Sequence, residues 1–106
     1  MTGLQLPSNR TYTEEAELLA DAIKWLEAQR RNGIKVIRIG DRYHRGYSDL
    51  FICVQGKLVV AELKDDEGTA TPHQEKFIED IQNAGGIGGV CRSLKDIYDL
   101  IVKAAR

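Results

Sequence analysis

Three side chains near the middle of the chain have the types and the spacing needed to act together on a phosphate group. Two apolar runs, Leu50–Val54 and Leu58–Ala61, are separated by a Gln-Gly pair that is typical of a two-residue hairpin turn. Asp49 comes directly before the first run. Glu62 comes directly after the second, and Lys64 follows two residues later. The hairpin therefore predicts that two acids and an amine meet at its open end.

The register of this hairpin decides whether the acids meet. A two-residue loop places Asp49 opposite Glu62, in the close class of antiparallel pairs with Cα atoms about 4.5 Å apart. Side chains alternate along a strand, so Lys64 shares their face. Like charges facing each other destabilise a sheet, and Mg²⁺ would remove the repulsion because it binds carboxylate oxygens. The alternative is a solvated face whose carboxylates splay apart, since a one-residue slip would reverse every side chain.

These residues resemble the core of the PD-(D/E)xK nuclease superfamily, in which an Asp is followed, after a strand, by Glu-x-Lys. Ser48-Asp49 stands where that pattern often has Pro-Asp. The wider pattern of Gly46-x-x-Asp49, Glu62-x-Lys64 and a downstream Gln74 resembles the virus-type replication-repair nuclease domain, or VRR-NUC. The resemblance extends over nearly the whole chain, and it implies a metal-dependent DNA endonuclease.

The resemblance also implies a role for each residue of the motif. Asp49 and Glu62 would hold one or two Mg²⁺ or Mn²⁺ ions, with the backbone carbonyl of Leu63 as a further ligand. Lys64 would position the attacking water and stabilise the developing charge. Gln74 would help to orient that water or a phosphate. For Gln74 the alternative is an ordinary surface amide near the start of a helix.

A glutamate of the first helix often completes the metal site in the resembled family. The sequence offers Glu14, Glu15 and Glu17 in the first turn of a helix predicted over residues 14–31. We favour Glu15, as a catalytic residue and metal ligand, because it lies on the same apolar stripe as Ile23. The alternative is that these acids only interact favourably with the helix dipole.

A group of cations with interleaved tyrosines comes before the first acid of the motif. Arg42, His44 and Arg45 precede Tyr47 in a loop between two strands. Cations suit a phosphate backbone and an aromatic ring suits a stacked base, so we predict that these four residues contact DNA. The alternative is an ordinary solvated loop, and the sequence predicts no base-specific contact.

The remaining elements predict how this site is positioned. The apolar patterns give the order helix, three strands, helix, strand, helix, which predicts a three-layer α/β sandwich with a small mixed sheet and a restriction-endonuclease-like core. Residues 1–12 are predicted to form a flexible arm, and residues 13–106 a single domain. Outside the hairpin and the first helix, the predicted elements are a strand over Ile34–Ile39, a helix over Pro72–Ala84 capped by Thr71, a strand over Ile87–Cys91, and a helix over Leu94–Ala105 capped by Ser93.

Composition limits the class of protein and its surroundings. The chain has 106 residues, which suits one domain, and its net charge of −1 gives no general attraction to nucleic acid. Cys53 and Cys91 lie in apolar stretches and are predicted to be small buried thiols; with His44 and His73 they match no zinc-site spacing. No signal peptide or membrane span is predicted. We therefore expect a reducing cytoplasm, in a bacterial or phage-infected host cell, and no membrane partner.

The leading functional hypothesis is an endonuclease that selects DNA by its structure, such as branched DNA or a Holliday junction in DNA repair. A short chain of this kind resembles the stand-alone form of the family. A homodimer would match the symmetry of a four-way junction, because each copy would present one site. The alternatives are a catalytically silent nuclease-fold module that binds DNA or a protein partner, and an unrelated small α/β protein.

Overall fold

The computed structural model describes residues 3–40 and 46–106, which form a mixed sheet and three α-helices. The sequence order of the elements is the predicted one, with a short 3₁₀ turn added after the first helix. The elements are α1 (Glu15–Ala28), the 3₁₀ turn (Arg30–Asn32), β1 (Ile34–Arg38), β2 (Leu50–Val54), β3 (Lys57–Leu63), α2 (Pro72–Asn83), β4 (Ile87–Cys91) and α3 (Leu94–Ala105).

The four strands form one sheet in the order β1-β2-β3-β4. The first three are antiparallel, and β4 is parallel to β3. The hairpin has the predicted register, with Val54 paired to Lys57 and Leu50 paired to Ala61. Gln55 and Gly56 both have positive φ, at 51° and 87°, as a type I′ turn requires. This turn fixes which residues of β2 and β3 face each other.

The three layers predicted from the sequence are confirmed. Helices α1 and α3 pack on one face of the sheet, which we call the core face, and α2 packs over β3 and β4 on the other, which we call the α2 face. The alternating burial of β2 follows from this arrangement, because its even-numbered side chains face the core. The buried sheet residues of the core face are Ile34, Val36, Leu50, Ile52, Val54, Val59, Ala61, Leu63 and Cys91.

Helix α1 differs in detail from the prediction. Glu14 is its N-cap residue and makes no side-chain capping bond. The helix ends at Ala28, three residues early, and the 3₁₀ turn carries the chain to Gly33 in the left-handed conformation. Its buried stripe is Leu18, Ala22 and Leu26, whereas the predicted stripe residue Ile23 is only partly buried. No helix in the described ranges is long and apolar enough to cross a membrane.

Part of the segment expected to be a flexible arm is packed against the domain. Tyr12 is buried, and its hydroxyl donates to an Asp21 carboxylate oxygen at 2.8 Å. Its carbonyl accepts from the Asp66 N–H at 2.8 Å, and the Ser8 carbonyl accepts from the Lys95 N–H at 3.2 Å. An aromatic ring with a polar end suits this position, since the ring packs in the core and the hydroxyl finds a partner.

The two cysteines have different environments, so the prediction of two buried thiols is wrong for one of them. Cys91 is buried, and burial raises the pKa of its thiol. Cys53 is exposed. It lies on the α2 face of β2, and α2 does not extend over this strand. The Cys53 side chain is therefore exposed although the sequence of the strand is apolar.

Candidate active site

The fold brings Asp49 and Glu62 into direct contact at the open end of the β2–β3 hairpin. Their carboxyl groups are hydrogen-bonded to each other. The Asp49 Oδ2 atom also accepts the Leu63 N–H at 2.8 Å, and the Asp49 carbonyl accepts the Ile39 N–H at 2.9 Å. Glu62 is only 1% exposed. The two acids therefore do not splay apart into solvent.

The environment of this pair changes the protonation of Glu62. Burial, the hydrogen bond to Asp49 and the charge of Asp49 together raise the pKa of Glu62 to about 9, while the charge of Lys64 acts in the opposite direction. Near neutral pH, the protonated form of Glu62 is therefore favoured. One proton shared by the pair removes the charge repulsion between its carboxyl groups.

The donor chemistry of the pair fits a divalent cation. Two adjacent carboxyl groups, one buried and one partly exposed, offer oxygen ligands to a hard ion such as Mg²⁺ or Mn²⁺. Such an ion would replace the shared proton and neutralise both charges. Asp49 and Glu62 are thus the residues that would hold it. Within residues 3–40 and 46–106, no third His, Cys, Asp or Glu joins the pair in a group of metal-ligand geometry.

The amine predicted for the site acts electrostatically on its acids. The positive charge of Lys64 opposes the rise in the pKa of both Glu62 and Glu15, so the three side chains lie within electrostatic range of one another. The Lys64 backbone N–H donates to the Cys91 carbonyl at 3.1 Å, which anchors the chain just after β3. This bond fixes the backbone position from which the Lys64 side chain extends.

Among the first-helix glutamates, Glu15 is the one that interacts with the pair. Partial burial and then the charge of Asp49 raise the pKa of Glu15. Glu17 instead forms a salt bridge with Arg10 at 2.8 Å, and Glu14 is the N-cap residue. The structure therefore places Glu15 near the acids, whereas its role as a metal ligand stays a prediction.

The predicted site residue of α2 is also a structural residue of that helix. Gln74 and Thr71 form a capping box, in which Thr71 Oγ1 accepts the Gln74 N–H at 3.2 Å and Gln74 Oε1 accepts the Thr71 N–H at 2.9 Å. The Nε2 group is not part of the cap and can donate a hydrogen bond to a phosphate oxygen or to a water molecule.

Gly46 packs against the start of α2, three residues before Asp49. It has a φ of 84°, and a Cβ at this position would collide with the His73 carbonyl group. Only glycine permits this approach, since any side chain would meet backbone there. The glycine of the sequence motif therefore has a physical reason: it lets the segment that leads to Asp49 approach the residue before Gln74.

A cluster of three aromatic rings lies beside the acids on the α2 face. The Tyr47 ring is 4.7 Å from that of Phe77 and 6.2 Å from that of Phe51, measured between centroids. Tyr47 is 39% exposed. Tyr47 was predicted as a site residue and the two phenylalanines were missed, although Phe51 follows Asp49 by two residues on the same face. The predicted DNA contacts Arg42, His44 and Arg45 lie outside the described residues.

The sheet, the three layers and the paired acids at the end of a hairpin define a nuclease-fold α/β domain. A comparison with solved structures agrees with this assignment. The chain is similar to a structure described as a VRR_NUC domain, with a TM-score of 0.66 and 26% identity over 83% of this chain and 94% of the other. The resemblance to the VRR-NUC domain is thereby confirmed. No family model and no curated protein matches the chain.

Proposed function

We propose that this chain is a Mg²⁺- or Mn²⁺-dependent endonuclease that hydrolyses phosphodiester bonds in DNA. The observation that carries the proposal is the contact of the buried Glu62 carboxyl group with the partly buried Asp49, within the electrostatic range of Lys64. Burial of Glu62 against a second acid is costly unless a cation or a proton offsets their repulsion. The similarity to a VRR-NUC domain supports the same function.

Each residue of the site would have a separate part in hydrolysis. When bound, the cation would supply Lewis-acid activation of the scissile phosphate and of a water molecule. Asp49 and Glu62 would hold that cation after Glu62 loses its proton, and the Leu63 carbonyl would add a ligand. Lys64 would stabilise negative charge on the phosphate during bond cleavage.

Two further residues would assist from the helices. Glu15, at the start of α1, would complete the site directly or through a water molecule. Gln74, whose Oε1 atom is held in the capping box, would donate from Nε2 to a phosphate oxygen or to the attacking water. Arg42, His44, Arg45 and Tyr47 would hold the DNA strand next to the cleavage site.

The proposed substrate is branched DNA, and the proposed assembly is a homodimer. A domain of this size offers few contacts to a junction, whereas two copies related by a two-fold axis would present two active sites to a four-way junction. Sedimentation of the protein alone and with a junction tests this assembly, and a monomer under both conditions would contradict it. The proposed location is the cytoplasm.

A cleavage assay with matched variants tests the enzymatic function. The wild-type protein, Glu62→Gln and Asp49→Asn would be incubated with labelled branched, flapped and linear DNA in Mg²⁺, Mn²⁺ or EDTA. We expect metal-dependent cleavage by the wild type and at least a hundredfold loss in both variants, because each removes a charged ligand. Glu79→Gln, an exposed acid on α2, is the control and should keep full activity.

Two results would contradict the proposal. One is the absence of cleavage of every substrate by the wild type, and the other is undiminished cleavage by Glu62→Gln. Calorimetry with Mg²⁺ then measures metal binding independently of cleavage. Metal binding and DNA binding without cleavage would instead support the catalytically silent module.

A further inference from the structure

The α2 face of the sheet carries an apolar pair of side chains next to the paired acids. Ile37 of β1 is directly paired with Phe51 of β2. Asp49 precedes Phe51 by two residues, so it lies on the same face, about 7 Å along the strand. We call Ile37 and Phe51 the apolar pair. It lies one row of side chains away from the acids of the candidate active site.

The apolar pair is open to solvent on one side. Ile37 is 51% exposed, which is unusual for an isoleucine in the middle of a strand. Helix α2 packs over β3 and β4, and no other described element packs over β1 on this face. The Phe77 ring, whose centroid is 5.9 Å from that of Phe51, forms a wall on the α2 side of the pair. The result is an apolar floor with one aromatic side.

A positive side chain follows on the same face. Lys35 is exposed and is paired with Cys53, one row beyond the apolar pair and away from the acids. The face therefore presents, in order, the paired acids, an apolar floor and an amine. A nucleic-acid strand has the complementary order if a phosphate lies at the acids, a base lies on the floor and a later phosphate lies near Lys35.

We propose that the apolar pair is a binding subsite for one unpaired nucleobase adjacent to the scissile phosphate. The proposal rests on the endonuclease function argued above and adds a requirement to it. The faces of bases in a duplex are stacked on their neighbours, so a paired base cannot lie on the floor. The substrate must therefore offer an unpaired nucleotide next to the cut, either already unpaired, as in flaps and splayed arms, or released by the opening of a base pair at the branch point of a junction.

A second copy of the chain is a less suitable occupant of this surface. A stable protein interface buries about 800 Å² on each partner. The apolar pair, the exposed Cys53 and the neighbouring Tyr47 provide only four side chains, and Phe51 among them is partly buried. The small area, the position one row from the acids and the neighbouring amine all favour a base.

The test combines a protein change with a DNA change. After the wild-type cleavage site is mapped, substrates with a normal or an abasic nucleotide on each side of it would be cut by the wild type and by Ile37→Ser. We expect roughly tenfold lower kcat/KM for Ile37→Ser on normal DNA, in the range of a lost base contact. On the substrate that lacks the contacting base, we expect less than a twofold difference between the two proteins. Leu6→Ser, at a 64% exposed leucine of the N-terminal segment, is the control.

Three results would overturn the subsite. The first is an equal effect of Ile37→Ser on normal and abasic DNA. The second is equal cleavage of linear duplex and of substrates with an unpaired nucleotide at the cut. The third is conversion of a dimer to a monomer by Ile37→Ser with DNA binding unchanged. Should the wild type cut no DNA, the endonuclease function fails by itself. The subsite is then tested in EDTA by the anisotropy of a labelled single-stranded oligonucleotide with and without bases, where Ile37→Ser should weaken binding only to the DNA that has bases.

Discussion

The substitution Glu62→Gln replaces a buried neutral acid by an amide of nearly the same shape. In the unfolded chain this glutamic acid titrates near 4.5, and in the metal-free folded protein its pKa is about 9. Between these pH values the folded state binds one proton more than the unfolded state. The free energy of unfolding therefore falls as the pH rises through this window.

The expected size of this effect follows from the width of the window. Each pH unit inside it lowers the free energy of unfolding by about 1.4 kcal/mol, so the change from pH 6 to pH 8 is about 3 kcal/mol. This is a large share of the roughly 5–15 kcal/mol that stabilises a small domain. The amide introduced by Glu62→Gln does not titrate, and the variant should lose this part of the pH dependence.

Urea unfolding followed by circular dichroism at pH 6 and pH 8, in EDTA, measures the difference. Glu79→Gln is the control for removing an exposed acid, and its pH dependence should equal that of the wild type. Adding Mg²⁺ at pH 8 should restore stability to the wild type by binding the deprotonated pair, and should not do so for Glu62→Gln. The same pH dependence in Glu62→Gln and in the wild type would refute a shared proton between Glu62 and Asp49.

Three further substitutions test single contacts by their effect on unfolding or cleavage. Gly46→Ala should destabilise the fold by at least about 2 kcal/mol, whereas Gly56→Ala, with a similar φ and open space around it, should cost only about 1 kcal/mol; urea unfolding compares them. Thr71→Ala and Gln74→Ala should each lower the free energy of unfolding by about 1 kcal/mol. Only Gln74→Ala should also lower kcat, and equal kcat values for the two variants would mean that Gln74 serves only to cap the helix. Ser48→Ala should stabilise the protein by about 1 kcal/mol, because the buried Ser48 hydroxyl has no hydrogen-bond partner in the described structure; a lower melting temperature would reveal a hidden partner.

Local features of the fold could be predicted because they depend on neighbours in the sequence. The bounds of β4 and α3 are as predicted, and Thr71 caps α2 as expected. The hairpin register follows from its two-residue turn, so the facing of positions 49 and 62 could be worked out by counting. In α1, where several apolar side chains compete for the core, Leu26 is buried as expected, but Leu18 and Ala22 are buried in place of the expected Ile23.

The sequence by itself determined the order of the elements, the hairpin register and the identity of the acids and the lysine, because turn geometry and side-chain alternation act over a few residues. Only the tertiary structure decided which sides of the sheet the helices cover. That packing buries Glu62 and raises its pKa, brings Gly46 against the start of α2, and leaves Ile37 and Cys53 uncovered. Burial depends on elements that are distant in the sequence, so a local sequence pattern does not predict it.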